Sequence, residues 1–190
     1  MTGVQTCALP IWRRDLMADL SYAASKIRTI NDWPSPGIIF KDITPLLADP
    51  VAMKSVVQAI AELGKDADLV AGIEARGFVF ASAVANELNK GFVPIRKKGK
   101  LPFKTHEQSY ALEYGEGVLE IHVDAIKPGQ KVLLIDDVLA TGGTLTAAAQ
   151  LIEKCGGLVP NVVLLLEIIG LPGREKYEGV FPNSKLTVLF

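Results

Sequence analysis

Two adjacent carboxylates and a run of small residues stand together in the chain and have the chemistry to bind a phosphorylated sugar. Asp136 and Asp137 close an apolar run, and residues 140–144 (ATGGT) follow with two glycines and two threonines. A glycine-bearing loop before a helix presents free backbone N–H groups and the positive end of the helix dipole, which favours a phosphate. The pattern lacks both the GK pair of a Walker loop and the G-x-G-x-x-G of a dinucleotide site.

The two carboxylates favour a ribose phosphate as the ligand. Side chains adjacent on a strand point to opposite faces, so a shared proton is disfavoured unless the strand has ended before Asp136. Hydrogen bonds with sugar hydroxyls, or help to a Mg²⁺-bound substrate, suit the pair better. The alternative, that the pair only initiates a turn, explains neither the glycines nor the threonines of residues 140–144.

Cations follow two other segments with the pattern of strands. Arg76 comes after the apolar run Leu69–Ile73, and four cations lie among Arg96–Lys100, directly after Phe92–Ile95. Open α/β sheets bind their ligands at the carboxyl ends of the strands, so these cations favour an anion site. Arg76 as a helix-start surface residue, and Arg96–Lys100 as a solvated charge run, remain the alternatives.

Apolar periodicity predicts the elements that must hold these residues. Val132–Asp136 has the pattern of a buried strand. The helix after it places Leu145, Ala148, Ala149, Ile152 and Cys155 on one face and is ended by Gly156 and Gly157. A strand, a helix and a second strand over 69–95 indicate a parallel pair and an α/β fold. The remaining predicted elements are helices over 51–63 and 77–88, strands over 119–123, 161–167 and 186–190, a short helix in GLPGREKY, and a first surface helix with Leu20, Ala23, Ala24, Ile27 and Ile30 on its apolar face.

Two segments are interpreted as loops with a function. Residues 30–50 contain four prolines together with several large apolar side chains, which fits either a loop covering a core edge or a lid over a flat apolar ligand. Residues 101–117 are polar, have no clear period and are long for a connection, which is typical of a closing flap.

Composition bounds the remaining possibilities. Lys and Arg number 20 against 21 Asp and Glu, so no overall charge recruits nucleic acid or an anionic membrane. The longest apolar run, Val162–Leu166, is far short of a membrane span. Cys7 and Cys155 lack metal-ligand spacing and favour a reducing cytoplasm.

The amino terminus carries no clear secretory signal, because its charges follow the apolar patch and a proline interrupts it. We interpret residues 1–16 as an extraneous or disordered extension, with Met17 as the natural first residue and 17–190 as a single domain.

Six motifs occur in the order found in one family. They are DWPSPGIIFKDITPLL, AGIEARGF, IRKKGKLP, SYALEYG, VLLIDDVLATGGT and GREK, and together they extend the resemblance from about Ser21 to Tyr177. The chain resembles the type I phosphoribosyltransferases, and within them the branch that uses adenine. The resemblance implies a mostly parallel central sheet flanked by helices, a small N-terminal hood at about 30–50 and a flexible flap at about 99–117. It implies transfer from phosphoribosyl pyrophosphate (PRPP) to adenine, with Mg²⁺ carried mainly by PRPP, in a cytoplasmic homodimer.

The same resemblance implies a role for each matched residue. Asp136 and Asp137 would bind the ribose hydroxyls, Glu113 would interact with the base during catalysis, and a cis peptide is expected near Glu74–Ala75. The 5′-phosphate would lie on Ala140, Thr141, Gly142, Gly143 and Thr144; the pyrophosphate on Arg76, Arg96, Lys97 and Lys100, with Arg96 reaching a neighbouring subunit; and adenine against Ile39, Phe40 and Lys41 of the hood.

Three positions refine this picture. Relatives that use 6-oxopurines carry an aspartate where this chain has Ala140, so hypoxanthine and guanine are disfavoured. Two residues depart from the common pattern of the family that the chain resembles. Phe103 stands where a glycine is frequent in the flap, and Trp33 stands where a phenylalanine is usual. A relative using xanthine or a pyrimidine stays an alternative, as does a non-catalytic purine-responsive regulator, although no DNA-binding segment is visible.

Overall fold

The structure, a computed structural model, describes residues 20–111 and 115–190, which belong to two compact units, Met1–Ala59 and Ile60–Phe190. The expected N-terminal extension, Met17 and Glu113 lie outside the described residues. Among the described residues, no helix has the length and apolar character needed to cross a membrane.

The first unit contains a β-hairpin where the sequence predicts helix and loop. Helix α1 occupies 20–25, and strand β1 (Arg28–Asn31) pairs antiparallel with β2 (Ile39–Asp42), with Ile30 opposite Phe40. The prediction that Ile27 and Ile30 continue the first helix is therefore wrong, because the ladder with β2 takes up the backbone of 28–31. Helices α2 (Thr44–Ala48) and α3 (Pro50–Leu63) follow, and α3 continues into the second unit.

The second unit is built on a seven-stranded sheet with the order β5-β6-β4-β3-β7-β8-β9. Strands β4, β3, β7, β8 and β9 are parallel neighbours, and β5 and β6 add an antiparallel edge. The predicted mostly parallel α/β sheet is thereby confirmed. The elements are β3 (Leu69–Ile73), α4 (Arg76–Glu87), β4 (Gly91–Lys97), β5 (Thr105–Ala111), β6 (Glu116–His122), β7 (Lys131–Leu139), α5 (Gly143–Lys154), β8 (Leu158–Glu167), α6 (Gly173–Val180) and β9 (Lys185–Val188).

Strand β7 and helix α5 form the centre of the core. The side chains of Val132 to Ile135 are fully buried, as a strand covered on both faces requires. All five residues predicted on the apolar face of α5 are buried, and Gly156 follows the helix with a φ of 84°. The prediction for this central strand and helix is confirmed.

Two boundaries differ from the predictions. Strand β7 continues to Leu139, because β8 pairs with it as far as Leu139 opposite Glu167. The predicted flap at 99–117 contains strand β5, which pairs with β6 along its whole length. The apolar period is absent from 105–111 because β5 is a half-exposed edge strand.

Candidate active site

A cavity of about 310 Å³ lies where the direction of the sheet's crossovers reverses. Helix α4 connects β3 to β4 on one side, and α5 connects β7 to β8 on the other, while β3 and β7 are neighbours. Open α/β sheets bind ligands at the carboxyl ends of the strands at such a switch point. The residues around the cavity are Glu74, Ala75, Arg76, Lys97, Tyr110, Leu119, Asp136, Asp137, Val138, Leu139, Ala140, Thr141, Gly142, Thr144 and Leu145.

The loop between β7 and α5 forms one end of this cavity. Its N-cap residue, Gly142, has a φ of 75°, which a residue with a side chain rarely adopts, and it has no side chain to cap the first turn of α5. The N–H groups of that turn are therefore oriented for an anion at the positive end of the helix dipole. Four of the five predicted phosphate-binding residues line the cavity, and Gly143 is the first residue of α5.

The start of helix α6 packs against the same loop. A Cβ on Gly142 would come within 2.5 Å of the Gly173 carbonyl oxygen, and a Cβ on Gly173 would collide with the Ala140 carbonyl oxygen. Arg174, next in the chain, holds α6 to the end of β8 through Glu167 Oε2 at 2.6 Å. The loop and the GREK segment thus approach each other backbone to backbone, which only glycine permits at these positions.

Asp136 and Asp137 are both buried and both line the cavity. Burial, and then the negative charge of Asp137, raise the pKa of Asp136 well above its ordinary value. Burial also raises the pKa of Asp137, although the Arg76 guanidinium, whose Nε lies 2.6 Å from Asp137 Oδ2, opposes that increase. The charge of Asp137 therefore influences the pKa of Asp136, although adjacent side chains on a strand point to opposite faces.

Glu74 organises the cations at the other end of the cavity. Its carboxylate accepts hydrogen bonds from Arg96 Nε at 3.2 Å, Lys100 Nζ at 3.1 Å and the Lys97 backbone N–H at 3.1 Å. Burial raises the pKa of Glu74, but the hydrogen bonds from Lys100 and Arg96 outweigh it and hold the pKa below its ordinary value. Sequence reasoning missed this residue, although its place at the carboxyl end of β3 was a usable signal. The peptide Glu74–Ala75 is cis, as the resemblance implied.

The predicted cations divide into two groups around this carboxylate. Arg76 and Lys97 line the cavity directly, whereas Arg96 and Lys100 contact Glu74, which itself lines the cavity. Lys98, which had no predicted role, pairs with Glu107 of β5 at 2.7 Å.

The predicted adenine-binding residues lie in strand β2 of the first unit. Ile39 is 64% exposed, and the ring of Phe40 lies edge to face with Trp33 at a centroid distance of 4.5 Å. Lys41 Nζ donates to Thr29 Oγ1 across the hairpin at 2.9 Å. Their contact with a base, like that of Glu113, stays a prediction.

A glycine-bearing loop at a helix start, two buried carboxylates and a cation thus surround one cavity. The chain belongs to the phosphoribosyl transferase domain family, whose model matches residues 45–177, and it has the type I phosphoribosyltransferase fold.

Comparison with individual proteins narrows the class. The chain is 54% identical to adenine phosphoribosyltransferase of Thermobifida fusca, over 85% of this chain and 93% of that protein. It is also 54% identical to the adenine phosphoribosyltransferase of Kosmotoga olearia, over 85% of this chain and 96% of that one. The crystal structure of adenine phosphoribosyltransferase from Rhodothermus marinus is similar with a TM-score of 0.82 at 43% identity, covering 91% of this chain and 98% of that one. The crystal structure of the Saccharomyces cerevisiae adenine phosphoribosyltransferase, complexed with adenine and an imino-altritol bisphosphate, is similar with a TM-score of 0.85 at 30% identity. The match covers 92% of this chain and 99% of that one.

Proposed function

We propose that this chain is an adenine phosphoribosyltransferase, which converts adenine and PRPP to AMP and pyrophosphate in purine salvage. The observation that carries the proposal is the cavity at the switch point, with a phosphate loop at one end, two buried carboxylates and a cationic group at the other end. Its similarity to the adenine phosphoribosyltransferases described above selects the base.

PRPP fits this arrangement with its two phosphate groups at opposite ends. The 5′-phosphate is bound by Ala140, Thr141, Gly142, Gly143 and Thr144 at the start of α5. The ribose hydroxyls donate hydrogen bonds to Asp136 and Asp137, and removal of water by the ligand makes each such bond stronger. The pyrophosphate is bound by Arg76, Arg96, Lys97 and Lys100.

The chemistry is a displacement at the anomeric carbon of ribose. A bond forms between that carbon and a ring nitrogen of adenine, while the bond to the pyrophosphate oxygen breaks through an oxocarbenium-like state. The protein contributes by positioning both reactants, by stabilising the charge on the departing pyrophosphate and by excluding water that would hydrolyse PRPP. Arg76 lies beside Asp137 and lines the cavity, and this position supports a role for its cation in stabilising the leaving group. Glu113 interacts with the base as its charge changes.

Magnesium enters as part of the substrate. Within the residues that the structure describes, no group of three or more His, Cys, Asp or Glu side chains is placed to hold a metal ion. Asp136 and Asp137 offer oxygen atoms, the ligand type that Mg²⁺ prefers, but two carboxylates alone suit a metal that is held mainly by phosphates. Mg²⁺ carried by PRPP neutralises charge on the pyrophosphate.

The base is selected by the hood and by Ala140. Ile39, Phe40 and Lys41 cover adenine, and the methyl group of Ala140 leaves no carboxylate for a 6-oxopurine. We place the enzyme in the cytoplasm, where the free thiol of Cys155 is stable, and in a homodimer. The Arg96 guanidinium bonds Glu74 and the Lys100 carbonyl of its own chain, so we assign it to its own subunit's pyrophosphate site and not to the neighbouring subunit.

Pyrophosphate release from PRPP, measured with a panel of adenine, hypoxanthine, guanine, xanthine and pyrimidine bases, tests the proposal. We expect turnover with adenine at a kcat/KM at least about a hundredfold above the other bases, because unpaired buried polar groups reject the wrong base. Turnover with xanthine alone would indicate the related enzyme, and no turnover with any base would indicate a regulator. Glu113→Ala should lower kcat/KM for adenine; an unchanged value removes Glu113 from the mechanism.

A further inference from the structure

Glu120 is a buried carboxylate outside the residues that line the cavity. It lies in β6 opposite Arg96 of β4 and is only 3% exposed. Its Oε1 accepts the backbone N–H groups of Lys100 and Leu101, both at 2.8 Å. Burial of a charge is costly unless hydrogen bonds replace those lost to water. The two backbone N–H groups of this turn provide them for the Glu120 carboxylate.

That turn reverses the chain directly after β4. Gly99 has a φ of 83°, and the Lys98 N–H donates to the Val118 carbonyl at 3.0 Å. The carbonyl of Lys100 accepts a hydrogen bond from Arg96 Nη1 at 3.1 Å. Lys100 is therefore held on both sides of its backbone, by Glu120 at its N–H and by Arg96 at its carbonyl.

The anchored backbone determines where the Lys100 ammonium lies. Its Nζ is 3.1 Å from Glu74 Oε1, at the cationic end of the cavity. A lysine side chain has many rotamers, so its charge stays at one place only if its backbone is fixed and its head group is paired. Release of the turn would spread the ammonium over a larger volume and weaken its contact with an anion.

We propose that Glu120 is a positioning residue for the pyrophosphate end of the substrate, and that it acts through Lys100 without touching PRPP. The proposal rests on the proposed function, since it concerns the binding of PRPP. One charge-assisted contact with a phosphate is worth about tenfold or more in affinity, so loss of the anchor should raise the KM for PRPP by about that factor. AMP lacks the pyrophosphate, so its dissociation constant should not change.

Three substitutions at Glu120 separate anchoring from charge. Glu120→Ala removes the acceptor, Glu120→Asp keeps the charge but withdraws the oxygen by about one C–C bond length of 1.5 Å, and Glu120→Gln keeps an acceptor oxygen without charge. We expect Glu120→Ala and Glu120→Asp to raise the KM for PRPP about tenfold, and Glu120→Gln to keep it close to the wild-type value. In a Lys100→Ala background, Glu120→Ala should add little, because both changes remove the same contact.

Glu107→Ala is the matched control. Glu107 lies opposite Glu120 in the β5–β6 pair and binds Lys98 of the same cationic run, but its side chain is exposed. We expect its KM for PRPP and its dissociation constant for AMP to equal those of the wild type.

The outcomes distinguish the two proposals. A wild-type protein that does not turn over PRPP contradicts the proposed function. If the wild type is active and the Glu120 variants match Glu107→Ala, or if the effects of Glu120→Ala and Lys100→Ala multiply, the positioning role alone is overturned. It is also overturned if Glu120→Asp keeps the wild-type KM and Glu120→Gln does not, because the charge of Glu120 then matters more than its acceptor position. The same holds if all three Glu120 variants fail to fold while Glu107→Ala folds, because Glu120 then stabilises the fold as a whole.

Discussion

The close approach of α6 to the phosphate loop makes Gly173→Ala a sharp test of how that loop is held. Gly173 does not adopt a positive φ, so alanine is conformationally allowed and the effect is steric. The new Cβ would collide with the Ala140 carbonyl oxygen and would lie 3.1 Å from the Gly142 nitrogen. Either the loop or the start of α6 must move.

The expected cost follows from overpacking. An extra methyl group in a filled contact costs about 1–3 kcal/mol, and if the loop moves by about 1 Å, phosphate binding should weaken about ten- to a hundredfold. Isothermal titration with AMP measures the affinity, and pyrophosphate release measures the KM for PRPP; both should change together. The unfolding temperature should change less, because the displaced segment is short.

Gly179→Ala provides the control in the same helix. A Cβ at Gly179 would have no atom within 4 Å, so the variant should bind AMP normally and gain about 0.5–1 kcal/mol from helix propensity. If Gly173→Ala binds AMP and PRPP as tightly as Gly179→Ala does, the backbone contact with Ala140 does not shape the phosphate site.

Three further predictions concern buried or paired polar groups. Asp136→Asn should raise the unfolding temperature of the ligand-free protein at pH 7, since burial raises the pKa of Asp136 and the amide removes the cost of ionising a buried carboxyl. Because the pKa of Asp136 is raised in the folded state, the wild type is most stable below the unfolded-state pKa and loses that stability as the pH rises; the gain in the variant should therefore vanish near pH 4, and a gain independent of pH would refute the assignment. Tyr177→Phe should lower the free energy of unfolding by about 1 kcal/mol and leave kcat unchanged, because the Tyr177 hydroxyl forms a hydrogen bond with Ser184 Oγ at 2.8 Å inside the core. Burial there raises the pKa of Tyr177 to about 12. Denaturant titration measures the change, and an unchanged midpoint would contradict the prediction. Arg76→Ala should lower kcat/KM for PRPP by about a hundredfold or more, since a donor to the leaving group is lost and Asp137 is left without its partner; a loss below tenfold would exclude Arg76 from that role.

The centre of the fold was predictable from the sequence because its signals are local. The four aliphatic residues before Asp136 leave the water only if both faces of their strand are covered, as they are in the structure. The small residues that follow allow the tight turn into α5. The βαβ order over 69–95 likewise determined the parallel pairing and placed Arg76 at a strand end.

Strands without an apolar period of their own were not predictable in the same way. Strand β2 lies in a proline-rich segment and β5 in a polar one, and each is stabilised by a ladder with another strand that no local pattern encodes. Glu120 follows Leu119 and precedes Ile121, so alternation suggested an outward-facing side chain, whereas its backbone partners in the turn after β4 keep it buried. The place of Glu74 at the end of β3 was a local signal, but its partners Arg96 and Lys100, which lie more than twenty residues away, were not predictable.

The contacts of Glu74 have a consequence for the energetics of turnover. With its carboxylate on Arg96 and Lys100, Glu74 offsets one of their two positive charges before a ligand arrives. Under the proposed function, pyrophosphate would compete with the Glu74 carboxylate for Arg96 and Lys100, so its affinity would be the difference between two favourable interactions. Glu74 would also be in place to re-pair with these cations when pyrophosphate leaves, so the proposed function predicts weaker product inhibition by pyrophosphate than unpaired cations would give.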